Sequence, residues 1–260
     1  MNAARIARPI FLIALFTFLV APIIISGSVS FTSDRFMSFP PNGFSLRWYE
    51  KIAQDPGWRG AFVDTVIIGA ICMVIATTVG TLSAYGISRI RSAFLRNAVL
   101  ILFLSPLVVP YVAYGMAVYP IFASYRIIGT HLGVGLAQSI IAIPFVVITV
   151  ISTIRRRDQV LEAAARTLGA SPVQAFWHVV LPLLTPGIIA GAVLSFLTSF
   201  DDVIMPMFLG GASVSTLPKA MLDALSMSSD PSVMAASSVI SLIGLITFLV
   251  ITFVRRARER

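Results

Sequence analysis

The stretch LEAAARTLGASPVQAFWHVVLPLL, Leu161 to Leu184, interrupts a chain that is otherwise apolar enough for a lipid bilayer. Arg155, Arg156 and Arg157 run straight into it. Ala163, Ala164 and Ala165 are strong helix formers with little bulk. Asp158 is placed to cap a helix over Gln159–Leu168, and Glu162 falls in its first turn, where a carboxylate is favoured. Gly169 suits the left-handed position that closes such a helix. Ser171-Pro172 then opens a second helix, with Pro at its first position, and Leu181-Pro182 is expected to end it. The product is a helix–turn–helix with a small-residue surface that another protein can approach closely. It holds no catalytic constellation.

The flanking sequence gives that loop its setting. Of 260 residues, 57% are hydrophobic and 12% charged, half the roughly 25% charge of a soluble domain. Six apolar runs are long enough for about 20 residues of bilayer crossing: Ile10–Gly27, Ala61–Ile87, Ala98–Phe122, Leu132–Ile154, Pro186–Leu209 and Ala235–Val254. The first follows Arg5 and Arg8, exceeds the apolar core of a signal peptide and lacks a clear small-residue cleavage site, so it is expected to stay as a helix. Six crossings put both termini on one side. Arg5, Arg8, Arg89, Arg91, Arg96, Arg155, Arg156, Arg157, Arg166, Arg255, Arg256, Arg258 and Arg260 then share that side. The other keeps Arg35, Arg47, Lys51, Arg59, Arg126 and Lys219, mostly among acidic residues. The basic side is cytoplasmic, and the net charge of +8 reads as orientation rather than nucleic-acid binding.

Outside, the Pro-Pro-Asn-Gly cluster is a turn. Ser45 is then expected to cap a short helix carrying Trp48 and Tyr49, aromatics suited to the headgroup layer. Cys72 alone permits no internal disulfide. His131 and His178 have no Cys or Glu at ligand spacing, so no metal site is expected.

Counting from Gly169, the loop resembles that of the permease subunits of bacterial binding-protein-dependent ABC importers. Their pattern is Glu-Ala-Ala, three residues, Gly, nine residues, Ile-x-Leu-Pro. Ala164 and Ala165 fill the Ala slots, Val179 the Ile slot, and Leu181 and Pro182 the last two. Ala170 follows the Gly. The Glu slot holds Ala163, with the carboxylate one residue early at Glu162. The resemblance implies an all-α membrane protein of six transmembrane helices, with a cytoplasmic coupling helix-turn-helix between helices 4 and 5 that docks on an ATPase. Three parts are expected: an N-terminal helix and periplasmic loop (1–60), the permease transmembrane domain (61–254, coupling loop 155–185) and a basic tail (255–260). The implied partners are a second homologous permease, two cytoplasmic ABC ATPase subunits, a periplasmic substrate-binding protein and membrane lipid, in a bacterial inner membrane. No Gly-Lys-Ser/Thr phosphate loop occurs; ATP is expected on the partner ATPase, with no cofactor in this chain.

The outer segment SFPPNGFSLRWYE, the loop and SFDDVIMPMFL together resemble the second permease of spermidine/putrescine-type importers, from about Arg5 to Val254. Charges inside a membrane cost about 2.5–3.5 kcal/mol each and are functional candidates by default. Asp201-Asp202 lies roughly 22 Å along the fifth run from Pro186, at about 100° between neighbours. One is expected to face the pathway and attract a cation, the other to bond to a neighbouring helix or the partner subunit. Asp64 reads as a helix-end charge. Gly187 and Gly191 form a GxxxG that suggests the contact with the second permease. Pro106, Pro110, Pro120 and Pro144 interrupt their runs, as in helices that line transport sites. The substrate implied is a small amine-bearing cation such as a polyamine. Similar chains serve opines and aminophosphonates, and a sugar or iron permease stays open. An ATP-independent secondary transporter would leave the loop unexplained. An intramembrane enzyme would want a third member beside the Asp pair.

Overall fold

Apolar segments in lipid must satisfy every backbone N–H and C=O internally, which leaves helices or closed barrels. The structure is a computed structural model that describes residues 3–155, 160–227 and 230–259. Among the described residues it is all-helical, with no strand. The elements are α1 (Ala3–Ser30), α2 (Arg47–Gln54), α3 (Pro56–Arg89), α4 (Ala93–Leu104), α5 (Tyr111–Ser124) and α6 (His131–Arg155). They continue with α7 (Val160–Thr167), α8 (Pro172–Ala175), α9 (Leu181–Phe200), α10 (Ile204–Leu209), α11 (Leu217–Met227) and α12 (Ser232–Glu259). Four helical stretches among the described residues are long and apolar enough to cross a membrane, 8–30, 56–89, 131–154 and 172–200. The pair α4 and α5 makes a fifth if it is one broken span. The chain is thus a multi-pass membrane protein.

Two expected spans differ from what is observed. The third, read as one helix, bends by 96° between α4 and α5. Pro106 and Pro110 each lack an N–H and crowd the preceding turn. Ser105–Leu107 tightens into a 3-10 turn, and α5 restarts only at Tyr111. The fifth begins earlier and ends earlier than expected. Leu181-Pro182 does not stop the chain, because Phe176–Val180 forms a π-turn that joins α8 to α9. Leu181 N–H bonds Phe176 O across this wider turn, which accommodates a proline that cannot donate at the next position. At its far end α9 stops at Phe200, so Asp201 and Asp202 sit in a helix break and not within a helix.

The chain divides into two compact units, Met1–Gly60 with Ala220–Val250, and Ala61–Lys219 with Ile251–Arg260. In the first, α1 exposes apolar side chains along its length, Phe11, Phe16 and Phe18 among them, as a lipid-facing helix does. The loop after it folds over α2. Trp48 is buried and donates its indole N–H to Thr32 O at 3.0 Å. Phe31 stacks on Phe44 at 5.0 Å, and Tyr49 shares a hydrogen bond with Ser30 at 2.7 Å. Ser45 accepts from Arg47 N at 3.2 Å, yet the helix starts at Arg47 with Leu46 at its cap. The serine therefore makes a turn two residues wide rather than the expected cap. Lys51 forms an ion pair with Asp230. Burial alone would raise the Asp230 carboxyl, but hydrogen bonds from Lys51 and Ser232, with the Lys51 charge, hold it below its ordinary value.

In the second unit α3, α6 and α9 pack through glycines. A Cβ on Gly80 would lie 2.6 Å from Val146, and one on Gly135 2.7 Å from Ile71. Gly187 and Gly191 both face α6, where added Cβ atoms would meet Thr153 Oγ1 at 2.3 Å and Thr149 Oγ1 at 2.7 Å. The GxxxG, expected at the contact with a second permease, packs on α6 within this chain. Small residues let backbones approach where the hydrophobic effect offers no drive between helices. Two apolar clusters fill the unit. One joins Ile68, Val134, Met205 and Leu209, the other Cys72, Ala76, Val146 and Leu184.

Candidate functional site

The loop between α6 and α9 folds by the local chemistry of its caps. Asp158 and Gln159, expected to open it, lie outside the described residues, as do Arg156 and Arg157. From Val160 to Thr167 the chain is helical. Gly169 adopts φ 93°, a left-handed value open to a residue without a Cβ. Its N–H bonds Arg166 O at 3.1 Å and Ala170 N–H bonds Ala165 O at 3.1 Å, the paired closure of a Schellman cap. Ser171 and Gln174 then bond each other's backbone N–H, at 3.3 and 2.9 Å, in a capping box with Pro172 first in the helix.

The faces of α7 divide sharply. Ala163 and Ala164 are exposed, Ala165 and Ala170 half-buried. Leu168, Val173 and Trp177 are exposed apolar side chains of the same loop, at 89%, 66% and 59%. Val179 and Leu181 are half-buried and Pro182 exposed, while Val180 enters the core. Glu162 turns the other way. Its carboxylate pairs with Arg89 at the end of α3 and accepts the Tyr85 hydroxyl at 3.2 Å. The Arg89 guanidinium lies 4.8 Å over the Tyr85 ring, and Tyr85 packs on Phe176 at 5.0 Å. Sequence reading missed Tyr85 and Arg89. Their spacing of four places them on one helix face, but nothing local points to a partner 73 residues away.

The Asp pair divides as well. Asp201 closes α9 and is exposed; Asp202 is buried at 7% exposure. Asp202 Oδ1 accepts Ile204 N at 2.9 Å and Met205 N at 3.4 Å, starting α10. Its Oδ2 accepts Gln138 Nε2 from α6 at 2.9 Å. Gln138 Oε1 in turn accepts the Ser199 hydroxyl at 2.5 Å. A carboxylate aimed at nearby backbone donors competes with helix continuation, which explains the break. Both oxygens of Asp202 are occupied, whereas Asp201 has its carboxylate open. Gln138 and Ser199 were not foreseen, being single polar residues in apolar runs.

Asp64 is more than a helix-end charge. Its Oδ1 meets His131 Nε2 at 2.7 Å and its Oδ2 accepts Ser215 N at 3.0 Å, while Thr65 Oγ1 accepts Leu217 N at 2.7 Å. Together they tie the segment before α11 to α3. His178 is exposed and contacts Gln174 O at 3.0 Å. Among the described residues no three His, Cys, Asp or Glu side chains gather as a metal site.

Comparison with known proteins places this architecture. The family described as "binding-protein-dependent transport system inner membrane component" matches residues 76–260. The putrescine transport system permease protein PotI of Escherichia coli K12 is 28% identical over 260 residues, covering 97% of this chain and 92% of that protein. The spermidine/putrescine transport system permease protein PotC of Haemophilus influenzae is 30% identical over 244 residues, covering 92% of each. Among solved structures, a bacterial ABC transporter involved in import of the acidic polysaccharide alginate superposes with a TM-score of 0.75. It covers 97% of both chains at 18% identity, a likeness of fold alone. The chain belongs to the inner membrane component family of binding-protein-dependent transport systems, and is the transmembrane permease subunit of an ABC importer.

Proposed function

We propose that this permease carries a small amine-bearing cation of the polyamine class. It does so beside a second homologous permease, with two ATPase subunits below and a periplasmic binding protein above. The observation that carries the cation reading is the exposed Asp201 carboxylate at a break between apolar helices, next to a partner aspartate already satisfied by protein groups. Such a site attracts positive charge and rejects an anion. Full-length likeness to putrescine and spermidine permeases supports the same class. Family membership removes the ATP-independent alternative.

The Leu161–Leu184 loop is the ATPase dock in this reading, supported by its exposed Ala163 and Ala164 and its exposed Leu168, Val173 and Trp177. Six crossings, read from the apolar runs, leave both termini and the loop on one side, and the arginine asymmetry supports the cytoplasm as that side. We divide the chain accordingly into a leading helix and outer loop (1–60), a permease domain (61–254) and a basic tail. ATP-driven closure of the ATPases would draw the two coupling loops together and turn the pathway outward.

The test is affinity purification of the tagged chain from its native membrane in mild detergent. Co-purification of an ATPase and a second permease is expected. ATP hydrolysis should then rise with binding protein loaded with putrescine or spermidine, and not with unloaded binding protein. Stimulation by a sugar or an oxyanion, and by no amine, would overturn the substrate class.

A further inference from the structure

We infer that Glu162 is a positioning residue that fixes the coupling helix to α3, and that it makes no contact with the ATPase. This rests on the reading of the loop as the dock. One residue along a helix is about 100° of rotation. Position 163, where the family pattern has its Glu, is exposed here and holds Ala. The carboxylate one residue earlier points into the protein, where its side chain is 14% exposed. It meets Arg89 and Tyr85, both on α3. The pair is braced by the guanidinium over the Tyr85 ring and by Tyr85 against Phe176, so it ties together α3, α7 and the π-turn. A charge pair held by an additional hydroxyl donor and an aromatic face is restrained in direction as well as distance.

The other end of α3 is fastened too. Asp64 and Thr65 hold His131, Ser215 N and Leu217 N. From Arg89 to Asp64 the rod is about 38 Å long at 1.5 Å per residue. A push on α7 is therefore delivered along α3 to the far side of the membrane. The one-residue shift of the carboxylate trades a partner contact for a rigid internal strut.

The experiment uses the assembled importer. Spin labels go on Gly86→Cys, where a Cβ meets nothing within 4 Å, and on Thr167→Cys, with Cys72→Ala as background. In this otherwise unaltered chain the distance distribution should be narrow and the same with and without MgATP and vanadate. E162Q and R89Q should broaden it, and the charge reversal E162R/R89E should narrow it again. E162A/A163E, which moves the carboxylate to the family position, should stay broad. In proteoliposomes, uptake of labelled putrescine per ATP hydrolysed should fall about ten-fold in E162Q, a coupling loss of ordinary size. Unchanged width in E162Q and R89Q, or recovery in E162A/A163E, overturns the strut. If the parent chain takes up neither putrescine nor spermidine, the substrate class fails and the label widths decide the strut. An A164R variant that still binds its ATPase would instead overturn the dock, whatever the widths show.

Discussion

Asp201 and Asp202 are adjacent in sequence and opposite in circumstance. Asp202 accepts three donors and is buried; Asp201 is exposed. D202N would put an amide N–H₂ against either Gln138 Nε2 or the backbone donors of Ile204 and Met205. Donor facing donor leaves a buried group unsatisfied, at about 1–3 kcal/mol. The expected result is a lowered melting temperature in detergent, with D201N close to the parent chain. Uptake should divide the other way: D201N lowers cation transport while the complex still assembles. Equal melting of both variants would remove the network from the stability of the break. The legible part of this site was the pair itself, because charge in an apolar run stands out. Which aspartate is free was not legible, since it depends on Gln138, 64 residues away.

Among elements, the glycines of α9 carry the clearest prediction. Gly191 leaves 2.9 Å between a would-be Cβ and the Val146 Cα, which is backbone and cannot swing aside. G191A should force α9 from α6 and cost about 1–3 kcal/mol, read as a lower melting temperature of the purified chain. G86A, with open space around it, should be neutral or slightly stabilising in its helix. If G191A instead melts like the parent and fails only to bind the second permease, the glycines serve the subunit contact after all. The α2 pin to Asp230 gives a pH prediction. Its depressed carboxyl contributes stability above the unfolded pKa of about 3.9, lost as pH falls through the lower folded value. Protection of α2 amides from exchange, compared with D230N, should be greater near neutrality and converge with D230N only in acid. The caps of α7 and α8 were readable because Gly169 and Ser171 act on backbone groups within four residues. The stop at Leu181-Pro182 was misread because a π-turn can carry a helix across a proline.

For the whole molecule, topology is the quantity to test. In a chain with Cys72 replaced, cysteines at Arg5 and Arg258 should react with an impermeant maleimide only after cells are opened. One at Ser33 should react from outside. Reaction of one terminal cysteine without the other in intact cells would make the span count odd, and reaction of both would invert the arginine argument. The sequence by itself determined the class: apolar length demands helices, and the short-range caps of the Leu161–Leu184 loop mark where the helices between the spans start and stop. Those signals are local or compositional, so no partner is needed to read them. Only the tertiary structure decided where helices break, that Gly187 and Gly191 meet α6, that Asp202 is held by Gln138, and that Glu162 turns to Arg89. Each depends on which faces of distant helices meet, and along one helix a single residue of offset turns a side chain from one neighbour to another.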